Sequence, residues 1–296
     1  MRSGIFTGWS LWNFALYVQD EPFSHEMKLI RPRKVFNSRR IKFGAHYPRD
    51  QADPFLILDE GHLYVLYEKR LHRGLGEIAC VRTRDLETFE DLGTILREPH
   101  HLSYPFVFRH QSDIFLVPEA RDSGEVPLYR FGHFPFGLQK VRSLLNGSYA
   151  DSFVIKCGSL WYLFASSKSG LEIYFTKDIL RGGLTPHPLN PVVTDPRFAR
   201  NGGGPLTIGG SLVRVAQDCS RSYGRNVMLL QIDELSPEAY SESIIRADFF
   251  DRNKDWNKFG AHHLSVTHFL GKTVIAADGA SRDFLVNKLI DRLRVT

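Results

Sequence analysis

The sequence predicts an all-β protein, a single-domain five-bladed β-propeller with a short C-terminal helix, on three observations. A stretch of about fifty residues recurs five times in series. Each copy alternates apolar and polar residues on both sides of a tight turn. Aromatic residues make up 12% of the 296, with 22 Phe and 11 Tyr, which suits pleated strands.

The first copy, "ADPFLILDEGHLYVLYEK", opens at Ala52 and turns at "DEGH". The second, "SYPFVFRHQSDIFLVPEA", opens at Ser103, and four pairs fix its register at a spacing of 51: Pro54 and Pro105, Phe55 and Phe106, Tyr64 and Phe115, Glu68 and Glu119. The third, "ADSFVIKCGSLWYLFASS", lies 98 after the first, so Asp53 maps to Asp151, Tyr64 to Tyr162 and Glu68 to Ser166. In the fourth, from Gly203, Gln217 takes the Glu68 place; in the fifth, from His262, Asp278 does. Turn residues ("HQSD", "KCGS", "IGGS", "FLGK") separate the two apolar runs of each later copy, and further strand-like runs follow the first four, as propeller blades require. The blades are expected near 52–97, 100–145, 148–193, 199–246 and 259–281, with residues 1–50 helping to close the ring through "FALYVQ" and "HEMKLIRP". Helical periodicity is confined to "DFLVNKLIDRLRV" near the C-terminus.

The formal charge of +5 is modest and spread along the chain; only "RPRK" (Arg31 to Lys34), with Arg39 and Arg40, forms a basic cluster. No nucleic-acid reader motif accompanies it, and nucleic acid is not expected as a partner. Cys80, Cys157 and Cys219 lie far apart without metal spacing, so neither a zinc site nor a disulfide framework is expected. The odd count favours a reducing compartment. The first residues lack a signal-peptide pattern, and no apolar run is long enough to span a bilayer, so a cytoplasmic protein without a transmembrane segment is expected.

In a propeller the innermost strands line a central channel, and the residues that open them meet at one mouth. Here those residues are Asp53, Tyr104, Asp151, Gly202 to Gly204, and His262 or His263. Carboxyls held close raise one another's pKa, which lets them divide acid and base roles.

These stretches carry a resemblance. "ADPFLILDEGHLYVLY" resembles the first-blade signature of the five-bladed propeller glycosidases, glycoside hydrolase families 43 and 62 with relatives in families 32 and 68. "ADSFVIKCGSLWYLF" is similar to the later blade that carries their pKa-modulating Asp. The resemblance implies Asp53 as base and Asp151 as modulator. A closer resemblance, through "HLSYPFVF", "VPEA", "PHPLNPV", "AQDCSRSYG" and "HHLSV", is to the propeller domain at the N-terminus of plant glucosamine inositolphosphorylceramide transferases and of bacterial proteins found near sugar formyltransferases; it implies glycan handling. One departure matters. The glycosidases carry their general acid in a short "EGP" element, and the corresponding "RNGGGPL" has glycine in its place.

Glu119 and Asp218 are the candidates to replace that acid. Each also has a purely structural reading, Glu119 as a partner of Arg121 or Arg130 and Asp218 as the organiser of a turn. Tyr104, His187, Arg200, Gln217, Arg221, Tyr223, His262 and His263 are candidate substrate ligands. No third ligand stands at useful spacing from the two histidines, so no metal is expected, and no cofactor is. The expected function is a glycoside hydrolase-like enzyme acting through paired carboxylates. The alternatives are a non-catalytic glycan-binding module, or a glycosyltransferase in surface-polysaccharide or glycolipid assembly. The expected partner is an oligosaccharide or glycoconjugate, with an anionic or nucleotide-activated one among the options, and an association with a glycosyltransferase is in view.

Overall fold

In a computed structural model of the chain, described over residues 10–36, 48–71, 74–252 and 256–282, twenty-one strands form five antiparallel sheets. Blade 1 comprises β1 (Ser10–Gln19), β2 (Lys34–Phe36), β20 (Leu264–Phe269) and β21 (Lys272–Arg282), in the order β2-β1-β21-β20. The other blades follow in sequence: β3 to β6 (Pro48–Asp59, His62–Leu71, Gly76–Thr83, Glu90–Leu96), then β7 to β10 (Ser103–His110, Asp113–Glu119, Glu125–His133, Phe136–Asn146). Next come β11 to β14 (Ala150–Cys157, Leu160–Ser166, Leu171–Thr176, Thr185–Pro186) and β15 to β19 (Arg200–Asn201, Leu206–Ile208, Ser211–Asp218, Asn226–Leu235, Tyr240–Arg246).

The closing blade takes its inner two strands from the end of the chain and its outer two from the start. β1 pairs β21 over ten residue pairs, from Ser10–Arg282 to Gln19–Thr273. Of the two segments expected to close the ring, "FALYVQ" lies in β1, whereas "HEMKLIRP" is irregular backbone and the edge strand is the next run, Lys34–Phe36. Glu26 and Lys28 carry polar side chains on a segment whose Pro32 has no N–H to give a ladder, which explains the shift. The expected C-terminal helix lies outside the described residues.

Tight turns follow the residue types. Glu60–Gly61, Gly209–Gly210 and Leu270–Gly271 all have positive φ, the geometry of the two-residue hairpin turn that matches strand twist. The apolar alternation of each hairpin buries Tyr64, Phe115, Tyr162, Val213 and Val274, the five residues that fixed the repeat register, at 3% exposure or less. Packing between sheets is therefore set by that one repeated position and its neighbours, an aromatic core between the blades.

The inner strands share an irregularity that positions the site. In β3, β7 and β11 the pairing slips between Ala52 and Phe55, Ser103 and Phe106, and Ala150 and Phe153. The bulged residues are Asp53, Tyr104 and Asp151, with left-handed φ of 52°, 43° and 47°. A bulge re-aims the side chain of its extra residue, and Asp tolerates this backbone better than a bulky Tyr does.

Candidate functional site

Five equivalent positions on the second strands of the hairpins, Glu68, Glu119, Ser166, Gln217 and Asp278, stand near the residues that open the inner strands. Three of them stitch one blade to the residue opening the next. Glu119 Oε2 accepts the Asp151 N–H at 3.1 Å, Ser166 Oγ the Asn201 N–H at 3.1 Å, and Asp278 Oδ2 the Asp53 N–H at 3.2 Å. Glu68 departs from this pattern. The Tyr104 N–H that it would accept goes instead to Asp53 Oδ2, at 3.1 Å, and Glu68 is left facing His101 Nε2 at 3.4 Å.

Asp53 and Asp151 have different surroundings. Asp151 forms an ion pair with Arg200, accepts a hydrogen bond from Gln217 Nε2 at 2.9 Å, and its backbone carbonyl accepts from Asn201 Nδ2 at 2.8 Å. Asn201 is in turn held by the wholly buried Arg214, whose guanidinium grips Glu242 at 2.8 Å and 2.5 Å. Asp53 meets no guanidinium among the described contacts. Its Oδ1 lies 3.6 Å from His262 Nδ1 and 3.8 Å from His263 Nδ1.

Behind Asp53, Asp278 is an organiser that sequence reasoning used only to hold the register. It is fully buried, accepts the backbone N–H groups of His262 and His263 at 2.9 Å and 3.0 Å, and faces the His262 ring at 2.6 Å. Burial alone would raise the Asp278 carboxyl, but His262 outweighs it and holds it below the usual range. Burial disfavours charge on His262, yet Asp278 raises it above its ordinary value. His263, deeper still, is pushed down by burial to about 4.

The acids of the mouth are held high. Burial drives Asp53 up, the charge of His262 draws it down and Asp278 and Asp151 push it up again, which leaves it at about 7. Glu119 is well above the carboxylate range because burial and the Asp151 carboxylate outweigh Arg200, 3.7 Å away. Glu68 is likewise held well above the carboxylate range by burial and by Asp53 and Asp50. Three acids of the mouth are thus held above the ordinary carboxylate range, Asp53 at about 7.

Aromatic rings complete the rim. Trp12 of β1 stacks on the His262 ring at 4.0 Å and meets the edge of Tyr223 at 6.0 Å, while Arg200 lies 5.0 Å over the Tyr223 ring. Such faces are suited to the apolar side of a sugar ring. Trp12 and Glu68 are site residues that sequence reasoning missed. The signal for Glu68 was its register with Glu119; Trp12 comes from the closing strand, which carries no repeat.

Of the residues expected at the site, the structure brings together Asp53, Tyr104, Glu119, Asp151, Arg200, Gln217, Tyr223, His262 and His263. Tyr104 closes the floor: its hydroxyl donates to Gly203 O at 2.7 Å and accepts from Gly203 N at 3.1 Å. Three others are placed elsewhere. Asp218 organises a turn, accepting from Ser220 N and Oγ at 2.8 Å and 2.6 Å and holding Arg225, and these donors keep it below its ordinary value despite burial. Arg221 is exposed on that turn. His187 lies beyond the outermost strand of its blade, with Nε2 3.2 Å from Ser236 O, and ties two blades together. The glycines of "RNGGGPL" also have a physical reason. A Cβ on Gly203 would sit 2.1 Å from Leu264 O, and one on Gly202 2.7 Å from His262 O, so the backbone passes too close to the next blade for any side chain to stand there.

Asp53, His262 and Asp278 each offer a ligand atom within 4.8 Å of the others, which supplies the third residue that spacing alone had not revealed. The Asp278 oxygens are already committed to three backbone N–H groups, however, and face a His262 ring whose raised pKa favours its proton. That proton fills the place of a cation, so the donor set fits a charged imidazole better than a metal.

Residues 39–280 match the family described as glucosamine inositolphosphorylceramide transferase 1, N-terminal. The chain belongs to this family. It is 34% identical over 244 residues to glucosamine inositolphosphorylceramide transferase 1 of Oryza sativa subsp. japonica, a match that covers 77% of this chain and 33% of the relative. It is 30% identical over 284 residues to the protein of that name from Arabidopsis thaliana, covering 86% and 37%. The chain therefore spans about a third of the length of these curated relatives. Among solved structures it is similar to a β-1,2-mannobiose phosphorylase from Listeria innocua, with TM-score 0.62, 10% identity, and 96% of this chain and 99% of that one covered. It is also similar to Zg3597, a family 117 glycoside hydrolase from Zobellia galactanivorans, with TM-score 0.54, 15% identity, and 78% and 84% covered. At these identities the likeness is one of fold, that of propellers that include glycoside hydrolases.

Proposed function

We propose that the channel mouth acts on a glycosidic bond of an oligosaccharide or glycoconjugate. One observation carries this reading: two buried carboxyls share one mouth in unlike surroundings, Asp53 beside His262 and Glu119 beside Asp151 and Arg200, and both are held above the ordinary carboxylate range. Glycosidic chemistry needs that pairing, a protonated acid at the leaving oxygen and a carboxylate that activates water or attacks the anomeric carbon. Asp53 takes the second role. Glu119 takes the first, in place of the acid that the close backbone passage at Gly203 excludes. Asp151, fixed by Arg200 and Gln217, binds a sugar hydroxyl and tunes Glu119; Trp12 and Tyr223 offer the ring a stacking face.

Transfer from an activated donor is the second reading, favoured by the name of the relatives and by Arg200 beside the acids. A phosphate leaving group needs little help from a general acid. The two readings separate experimentally. Wild type, Asp53→Asn and Glu119→Gln are incubated with oligosaccharides, aryl glycosides and nucleotide sugars, and products are identified by mass spectrometry. In the hydrolytic reading Glu119→Gln loses turnover of oligosaccharides but keeps that of aryl glycosides with good leaving groups, whereas Asp53→Asn loses both. Turnover confined to nucleotide sugars, untouched by Glu119→Gln, selects transfer. Saturable binding without turnover of anything removes both and leaves a binding module.

A further inference from the structure

A cleft of about 290 Å³ opens from the rim of the mouth between the blades that β8, β12 and β17 belong to. It is lined by three cations, Arg121, Lys168 and Arg200, and by hydroxyls that include Ser148, Ser167 and Ser169; no acidic side chain lines it. The contrast with the mouth is sharp, since Asp53, Glu68, Glu119 and Asp151 crowd the channel a few residues away. The nearest acid along the chain on the far wall, Asp195, is engaged by Arg197 through three contacts.

The lining is held in shape. Ser167 N donates to Gly170 O at 2.8 Å and Ser169 N to Ser167 Oγ at 3.0 Å, which folds residues 167–170 into a turn. Leu171 N donates to Val193 O at 2.8 Å, and Gly170, at φ +139°, lies so close to the same segment that a Cβ there would sit 2.1 Å from Val193 O. On the opposite wall Arg121 Nε donates to Ser148 Oγ at 3.0 Å, which aims the rest of the guanidinium without neutralising it. Arg200 belongs to both places, its guanidinium on Asp151 and its flank on the cleft.

Arg121 and Lys168, set among hydroxyls in a lining without an acidic side chain, suit an oxyanion, and the planar Arg121 guanidinium can hold it in bidentate fashion. The volume is at the lower end of the roughly 300–1,000 Å³ of ligand sites, enough for one charged sugar unit but not for a chain. We propose that this cleft binds the phosphate or carboxylate of an anionic glycoconjugate whose neighbouring glycosidic bond lies at the mouth. The proposal rests on the glycan-handling reading of the mouth for its substrate class, but the anion site itself does not.

The test titrates the full chain with inorganic phosphate, glucose 1-phosphate, glucuronate and glucose by calorimetry, in wild type, Arg121→Ala/Lys168→Ala, and Lys156→Ala as a control that removes an exposed cation elsewhere. Inorganic phosphate should bind saturably, and the double variant should weaken it by about tenfold or more, as expected for loss of charge-assisted hydrogen bonds, while Lys156→Ala leaves it unchanged. Since Arg121 and Lys168 pack no core, the melting temperature should hold in both variants. Tighter binding of glucose 1-phosphate than of glucuronate identifies phosphate as the source of the anion, and the reverse identifies a uronate. Absence of saturable phosphate binding, or equal weakening in the double variant and the control, overturns the proposal. Failure of the mouth reading looks different: phosphate binds at the cleft, but no neutral oligosaccharide binds or turns over.

Discussion

Replacing Asp53 by Asn should stabilise the protein above neutral pH while removing the turnover proposed for the mouth. The carboxyl is 10% exposed, and His262 and the Tyr104 N–H do not offset burial and the charges of Asp278 and Asp151, so ionising it costs the folded state. A folded pKa raised above the unfolded one withdraws stability as pH rises: the contribution is whole below about 4 and is lost progressively up to about 7. The interval from 3.8 to about 7, at about 1.4 kcal/mol per pKa unit, amounts to an order of 4 kcal/mol. The amide keeps the shape and the Tyr104 N–H acceptor but cannot ionise. Urea denaturation of both proteins at pH 4 and pH 8.5 measures the difference, to which Glu68 adds in the same direction because it loses the charge of Asp53 in the variant. The variant should gain at least about 2 kcal/mol over wild type on going from the lower to the higher pH, allowing for the coupling to His262. Parallel stability profiles would refute the claim that this carboxyl is held at an unfavourable charge.

Three further outcomes follow from the geometry. Arg200→Met strands Asp151, whose side chain is 4% exposed, and should cost about 3–5 kcal/mol at neutral pH, the usual toll of breaking a buried pair. Gly203→Ala forces a methyl against Leu264 O and should destabilise by about 1–3 kcal/mol or more in the same denaturation assay. Where turnover is found, its rate should rise with pH through about 7 as Asp53 ionises and fall at higher pH as Glu119 loses its proton; in Glu119→Gln the alkaline fall should disappear.

The fold was legible because one hairpin recurs with its core position and its turn intact, and a strand pair of that kind can bury its face only by stacking on its neighbours. Asp53 and Asp151 were legible for the same reason, as the residues that open a strand on the channel. The stitching positions were harder to see. Glu68, Glu119, Ser166, Gln217 and Asp278 differ in type, and what they share is an oxygen near the next blade, which no residue identity announces. Asp278 lies 225 residues from the Asp53 amide it accepts, and Trp12 reaches the mouth only because the first strand completes the last blade. The glycines of "RNGGGPL" read as a lost acid; in three dimensions they mark a place where backbone meets backbone.

The central claim is that Asp53 performs chemistry on a glycosidic bond at this mouth. It is tested most directly by product analysis of wild type and Asp53→Asn against neutral and anionic oligosaccharides and nucleotide sugars, with binding measured in parallel. Turnover by the wild type, lost in the variant while binding survives, is the predicted result. Turnover that persists in Asp53→Asn, or saturable binding that neither protein ever converts to product, would contradict it.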